Sequence, residues 1–273
     1  MLERATRLII SLLFAAALAI GPVQAHAHGE AGEHVKRFEE HIGDYEQDVD
    51  HLISQLGAIV KGYAPGQDVS EEVKALLHEW EEVRYHAAVE TVATPLYAPI
   101  WQAISGFKDA VREGAPEPTV RRRQQALEAA LWQGLGALKL AASQRAAGGE
   151  RQGKQPAAGQ AEAETGPEAT LEAIIDDLDR AVAAYQDGNL EKARTLISET
   201  YLHRFEGLEG RLIEKDPELV VGLEEAFNAR LPQLMEQGAP VAEVREQVAA
   251  MQSELEEAES LLLETQGDKG QVF

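Results

Sequence analysis

The 273-residue chain contains no cysteine and carries 47 acidic against 25 basic residues, a formal net charge of −22. The missing thiols exclude disulfide scaffolds, thiolate metal sites, iron–sulfur clusters and covalently attached c-type haem. So acidic a surface repels phosphate backbones, which excludes a nucleic-acid partner, and stability must come from core burial, for which there is chain enough for two domains.

The N-terminus, "MLERATRLIISLLFAAALAIGPVQAHAHGE", has two arginines, an apolar run from Leu8 to Ile20 and small residues before His26 and His28. It reads as a signal peptide over 1–25 of an exported chain. The run is shorter than the ~20 residues a bilayer requires, and Gly21-Pro22 ends it, which argues against a retained anchor. A tail, 26–33, follows. If cleavage falls after Ala25, the free amine, the intervening amides and His28 form a square-planar nitrogen site suited to copper; cleavage after Ala27 removes it.

Beyond the tail the pattern is helical throughout, with apolar residues recurring at three and four and Pro or Gly at the breaks. A first four-helix unit is expected over 34–144, with helices at 34–63, 70–93, 96–113 and 118–144. The Gly/Ala/Gln-rich stretch 145–167 is a flexible linker. A second four-helix unit spans 168–266, with helices at 168–187, 189–214, 217–237 and 241–265, before a short tail, 267–273. In "KDPE", Asp216 is the expected N-cap and Pro217 the first helical residue.

The halves resemble each other. "FKDAVREGAPEPTVRRRQQALEAALWQGLGAL" aligns without a gap on "LPQLMEQGAPVAEVREQVAAMQSELEEAESLL", setting Val120 on Val244, Leu127 on Met251, Leu131 on Leu255 and Leu138 on Leu262. Upstream, "HAAVE" lies over "FEGLE", and the helix ending at Tyr63 over the one ending at Tyr185. The expected fold is therefore all-α: two tandem, internally duplicated up-and-down four-helix bundles joined by a flexible linker.

Carboxylates fall among the apolar residues of this pattern. At ~100° per residue, Glu206 and Glu209 lie in the arc of Leu202, Phe205, Leu212 and Ile213, whereas His203 points away. In the next helix Glu224 shares the face of Leu219, Val220, Leu223, Phe227 and Leu231, and Glu225 points out. In the first half, Glu79, His86 and Glu90 line one edge of the face made by Leu76, Leu77, Trp80 and Val83, with Glu82 nearer solvent. An unpaired carboxylate in an apolar interior is strongly disfavoured, so these residues should face a cation, an arginine such as Arg230, or water at a bundle end. Inward Glu and His on facing helices are how bundles build hard-cation or iron sites. The candidate ligands are Glu206, Glu209, Glu224, His86 and Glu90, followed by Glu79, Glu82, His203, His26 and His28. No Ser/His/Asp or Cys/His constellation and no His-Glu-x-x-His helix is present, so an enzyme is not expected; two irons bound close together would still permit ferroxidase chemistry.

The segment "AYQDGNLEKARTLISETYLHRFEGLEGRLIEKDPELVVGLEEAFNARL", with Tyr201, Phe205, Glu206 and Glu209 followed by Glu224 and Phe227, resembles the periplasmic helical module that precedes the membrane part of bacterial high-affinity iron permeases. "HIGDYEQDV" is similar to the opening of such modules. A more distant likeness is to imelysin-like periplasmic iron-uptake proteins, whose His-x-x-Glu spacing is matched by His203 and Glu206. This chain ends at "QGDKGQVF" without membrane helices bearing an Arg-Glu-x-x-Glu motif, so transport itself is not expected of it. The resemblance implies a periplasmic accessory protein that binds iron, as Fe2+ or Fe3+, or delivers it to a permease or another membrane component of iron uptake. The competing expectation is a helical module that docks on a membrane or envelope partner without holding metal.

Overall fold

The computed structural model describes residues 33–65, 67–147 and 166–268. The signal-peptide region, His26 and His28, most of the linker and the last five residues lie outside that set. Among the described residues every regular element is helical, and none is long and apolar enough to cross a membrane.

A short helix α1, Glu33–Lys36, and a 3₁₀ turn, Phe38–Glu40, lead into α2, Ile42–Gly62. Then follow α3, Ser70–Glu82, α4, Arg84–Val92, α5, Tyr97–Arg112, and α6, Glu117–Ala146. After the linker come α7, Pro167–Gln186, and α8, Leu190–Thr200, which runs through a π-helical turn, Tyr201–Phe205, into α9, Glu206–Ile213. Next, α10, Pro217–Glu225, runs through a second π turn, Ala226–Arg230, into α11, Leu231–Glu236, and α12, Val241–Asp268, closes the described chain.

Local chemistry sets several of these bounds. Asn189 Oδ1 accepts from the Lys192 amide at 3.1 Å and Asp216 Oδ1 from the Leu219 amide at 3.0 Å, satisfying orphan donors at two helix starts. At Gly114 (φ 64°) and Gly238 (φ 70°) the chain turns left-handed. Each makes the paired terminal bonds of a Schellman stop: Gly114 to Val111 and Ala115 to Ala110, then Gly238 to Met235 and Ala239 to Leu234. In both halves a tyrosine hydroxyl from an earlier helix seals this stop, Tyr63 to the Ala115 carbonyl and Tyr185 to the Ala239 carbonyl, each at 2.7 Å.

The expected helix over 70–93 is in fact two. Val83 adopts an extended conformation (φ −74°, ψ 141°), and Asp48 of α2 accepts the Tyr85 amide at 3.0 Å, restarting the chain as α4. Likewise the expected helix from 34 to 63 is interrupted between Lys36 and Ile42.

In the first half α2 packs on α3, α4 and α6, and α5 on α6; in the second α7 packs on α8 and α12, and α11 on α12. The residues aligned between the halves, Val120, Leu127, Leu131 and Leu138 with Val244, Met251, Leu255 and Leu262, are all buried. The halves meet where α5 lies against the second π turn and α10, with α3 also touching α10. Across this seam Glu225 is gripped by Lys108 of α5 and by Arg230 at 2.6 Å.

Tyr85 fixes α4 to α6. Its buried hydroxyl donates to the Leu131 carbonyl at 2.6 Å and sits where a side chain on Gly134 would have to go, 2.1 Å from an added Cβ. Gly136, two residues on and on the other side of the helix, has open space around an added Cβ. Gly134→Ala should therefore destabilise the protein by about 1–3 kcal/mol in denaturant titration, whereas Gly136→Ala should leave stability unchanged or raise it by up to ~1 kcal/mol. Equal effects at the two positions would contradict the packing described for Tyr85.

Candidate metal centre

Seven buried side chains converge at the seam between the halves. Glu81 comes from the last turn of α3, His86 and Glu90 from α4, Tyr97 from the first residue of α5, Tyr201 from the first π turn, Glu209 from α9 and Glu224 from α10.

Two irregularities aim these groups. In a continuous helix Glu81 and His86 would stand about 140° apart; the extended Val83 turns them towards each other, leaving His86 Nδ1 3.6 Å from Glu81 Oε2. Tyr201 and Glu209 would stand about 80° apart in an α-helix, and the extra residue of the intervening π turn cancels most of that angle. In each π turn the chain makes a bond five residues back, Glu206 to the Tyr201 carbonyl and Leu231 to the Ala226 carbonyl. In each, a side chain also occupies the carbonyl an α-helix would use four residues back: Thr200 Oγ1 donates to Leu196 O at 2.6 Å and Asn228 Nδ2 to Glu224 O at 3.0 Å.

Glu224 is the hub. Its Oε1 accepts from Tyr97 Oη at 2.5 Å and from Tyr201 Oη at 2.8 Å, and lies 3.8 Å from His86 Nε2. Tyr201 Oη is also 2.6 Å from Glu90 Oε1, Tyr97 Oη is 2.7 Å from His86 Nε2, and the two phenol oxygens are 3.1 Å apart. The imidazole is clamped between Trp80 (ring centroids 4.6 Å apart) and Tyr97, which stacks on it at 5.4 Å and 9°.

Counting protons shows how so many acids coexist. Tyr201 has one hydroxyl proton for two carboxyl neighbours, so one of those contacts needs a proton on the carboxyl. Consistently, burial pushes Glu81, Glu90 and Glu209 well above the usual carboxylate range, and the neighbouring carboxylates push the same way. Burial, together with the same carboxylates, also raises both phenols well above their ordinary value.

Two sets of potential ligand atoms, each within 4.8 Å of one another, share Glu224: Glu81, His86 and Glu224 on one side, and Glu90, Glu209 and Glu224 on the other. Within the second set, Glu209 Oε1 is fully buried and has no hydrogen-bond partner. An orphaned carboxylate oxygen costs free energy that a bound cation would return.

Of the sequence candidates, His86, Glu90, Glu209 and Glu224 are brought together. Glu206 is half-buried at the edge, close enough that its charge acts on Glu90 and Glu209. Three others are not in the cluster. Glu79 pairs with His51 at 3.2 Å, and Glu82 and His203 are exposed. Glu225, expected to point out, is buried against Lys108 and Arg230. Burial works to raise its carboxyl, but these two cations hold it below the usual range. Sequence reasoning missed Glu81, hidden by the break at Val83, and Tyr97; the latter's one signal is its place as the first polar-tipped residue after Thr94-Pro95.

A groove of about 900 Å³ runs beside the cluster, not into it, past Lys74, His78, Lys108, Arg112, Glu225 and Arg230. An ion needs donors more than volume, so the closed cluster is the better candidate site. No protein-family model, curated protein or solved structure matches the chain, and the case for this site rests on its own chemistry.

The raised carboxyls give a pH signature. With metal chelated away, Glu81, Glu90 and Glu209 keep protons in the folded chain that the unfolded chain has released above about pH 4.3. The unfolded state then binds fewer protons, so their stabilising contribution is complete below that pH and is lost as pH rises through the elevated folded values. Thermal midpoints should fall between about pH 5 and pH 8, and Glu209→Gln, which cannot ionise, should flatten that slope. A Gln variant with an unchanged slope would show that Glu209 does not titrate as described.

Proposed function

We propose that this chain is an exported accessory protein of iron uptake that binds the ion in the cluster at the seam and passes it to a membrane permease. The observation that carries the reading is the convergence of Glu90, Glu209 and Glu224, all buried and with ligand atoms within 4.8 Å of one another. An imidazole among carboxylates suits iron better than calcium or magnesium, which take oxygen ligands alone. The signal-peptide pattern of residues 1–25 supports export, and the likeness of 184–231 to iron-permease modules supports iron as the cargo. Glu206, half-buried beside Glu90 and Glu209, is suited to receive the ion at the mouth.

The reading includes an ancestral duplication of a four-helix unit. Its support is the paired Tyr63–Ala115 and Tyr185–Ala239 seals and the matched buried positions of α6 and α12. In that alignment Glu90 overlies Glu209, so each copy contributes one equivalent carboxylate to the seam, while His86 and Glu224 come from one copy each. The docking alternative expects arginines such as Arg230 to neutralise inward carboxylates, and Arg230 with Lys108 does so for Glu225; Glu224 is met by two phenols and an imidazole, which favours the metal reading.

The test is metal analysis and titration calorimetry of the mature protein with Fe(II), Fe(III), Mn(II), Zn(II) and Cu(II). Selective iron binding is expected, weakened at least tenfold, roughly 1.4 kcal/mol, by Glu224→Gln, which removes the shared ligand. Iron binding equal in wild type and Glu224→Gln, or copper binding that tracks only His26 and His28, would overturn this assignment.

A further inference from the structure

Tyr97 and Tyr201 sit where a cation held by the carboxylates would have to touch them. The Tyr97 oxygen lies between His86 and Glu224, and the Tyr201 oxygen between Glu224 and Glu90, so together the two phenols bridge the two sets of ligand atoms. Both rings are 1% exposed. Their spacing is also suitable. A cation with bonds of about 2.1 Å in an octahedron sets neighbouring donors roughly 3.0 Å apart and opposite ones roughly 4.2 Å apart. The phenol oxygens are 3.1 Å from each other, and Glu224 Oε1 is 3.8 Å from His86 Nε2.

We infer that Tyr97 and Tyr201 are phenolate ligands, and that the ion this cluster takes is ferric iron. The inference rests on the metal-binding reading above and deepens it by fixing the oxidation state. Phenolate is a hard, anionic oxygen donor, and a small trivalent cation is the common biological ion best able to displace its proton; divalent ions polarise a buried phenol far less. On binding, the Tyr97 and Tyr201 O–H bonds break, two Fe–O bonds form, and two protons leave to solvent together with those on the ligating carboxyls. No electron moves, so neither oxidant nor reductant is needed. Glu209 adds an independent sign: its carboxyl is buried within this centre and its Oε1 has no hydrogen-bond partner.

Ferric phenolates absorb visible light through ligand-to-metal charge transfer, which carboxylate and imidazole complexes of iron lack. The mature, chelator-treated protein is therefore mixed with ferric nitrilotriacetate and, under anaerobic conditions, with Fe(II). Bound iron and visible absorbance are read separately. Wild type should bind Fe(III) with a visible band and bind Fe(II) more weakly without one. The band per bound iron should fall in Tyr97→Phe and in Tyr201→Phe and disappear in the double variant. Tyr85→Phe, which alters a buried hydroxyl outside the cluster, should keep it, and circular dichroism checks that all variants remain helical. Iron bound without colour, or colour retained in the double variant, overturns the phenolate assignment and leaves the metal-binding function standing. Preference for Fe(II) overturns the ferric assignment. If neither iron state binds, the metal-binding reading fails and this inference fails with it.

Discussion

Glu224 and Glu225 are neighbours in sequence and both lie in the dry seam between the halves, yet the protein meets the cost of burying them in opposite ways. A buried carboxylate must gain a cation, strong donors or a proton. Glu225 faces Lys108 and Arg230 and stays ionised. Glu224 faces two phenols, an imidazole and other acids, in a network that works only if protons are shared among its members. The first arrangement is a finished structural clamp. The second is a set of donors held close together with the protons as replaceable occupants.

That asymmetry depends on backbone irregularity. A regular helix spaces inward positions by three and four, which cannot bring Glu81 beside His86 and leaves Tyr201 and Glu209 about 80° apart. The extended Val83 and the π turn at Tyr201–Phe205 each shift the register of the helix beyond them. Both are locally supported, Val83 by the Asp48 carboxylate on the restarted helix and the π turn by Thr200 on the Leu196 carbonyl. The aromatic packing of Trp80 and Tyr97 around His86 then fixes the imidazole plane. An ion entering such a site would find donors already oriented, so less of its binding energy would go to ordering side chains.

The same irregularities decided what could be read from the sequence. Helix starts and stops were legible wherever local chemistry sets them, as at Asp216, Pro217, Gly114 and Gly238. The inward placement of Glu224 was legible because it falls in the uninterrupted run of α10, whereas His86, Glu90 and Glu209 follow breaks that leave them buried all the same. Glu79 was chosen over Glu81 because the wheel was carried straight through Val83, where no Pro or Gly marks the break. Glu225 was assigned to solvent because its partner Lys108 lies 117 residues away, a contact that no local pattern encodes. Tyr97 was passed over because a tyrosine at a helix start reads as ordinary core; only the tertiary fold shows its hydroxyl pointing at three polar groups.

The charge of the whole chain and the charge of the site then have different consequences. A net charge of −22 raises the concentration of any cation near the surface but does not discriminate between them. Discrimination requires a closed site in which the ion must trade all its water for a fixed set of donors. In the seam burial holds Glu81, Glu90 and Glu209 well above the usual carboxylate range, so a cation bound there would exchange for protons and bind more weakly as pH falls. The halves touch through the elements that carry the donors: α4 and α5 supply His86, Glu90 and Tyr97, and α9, α10 and the first π turn supply Glu209, Glu224 and Tyr201. Separation of the halves would therefore divide the cluster, leaving Glu81, His86, Glu90 and Tyr97 on one side and Tyr201, Glu209 and Glu224 on the other. The Lys108–Glu225 ion pair crosses the same seam and opposes that division.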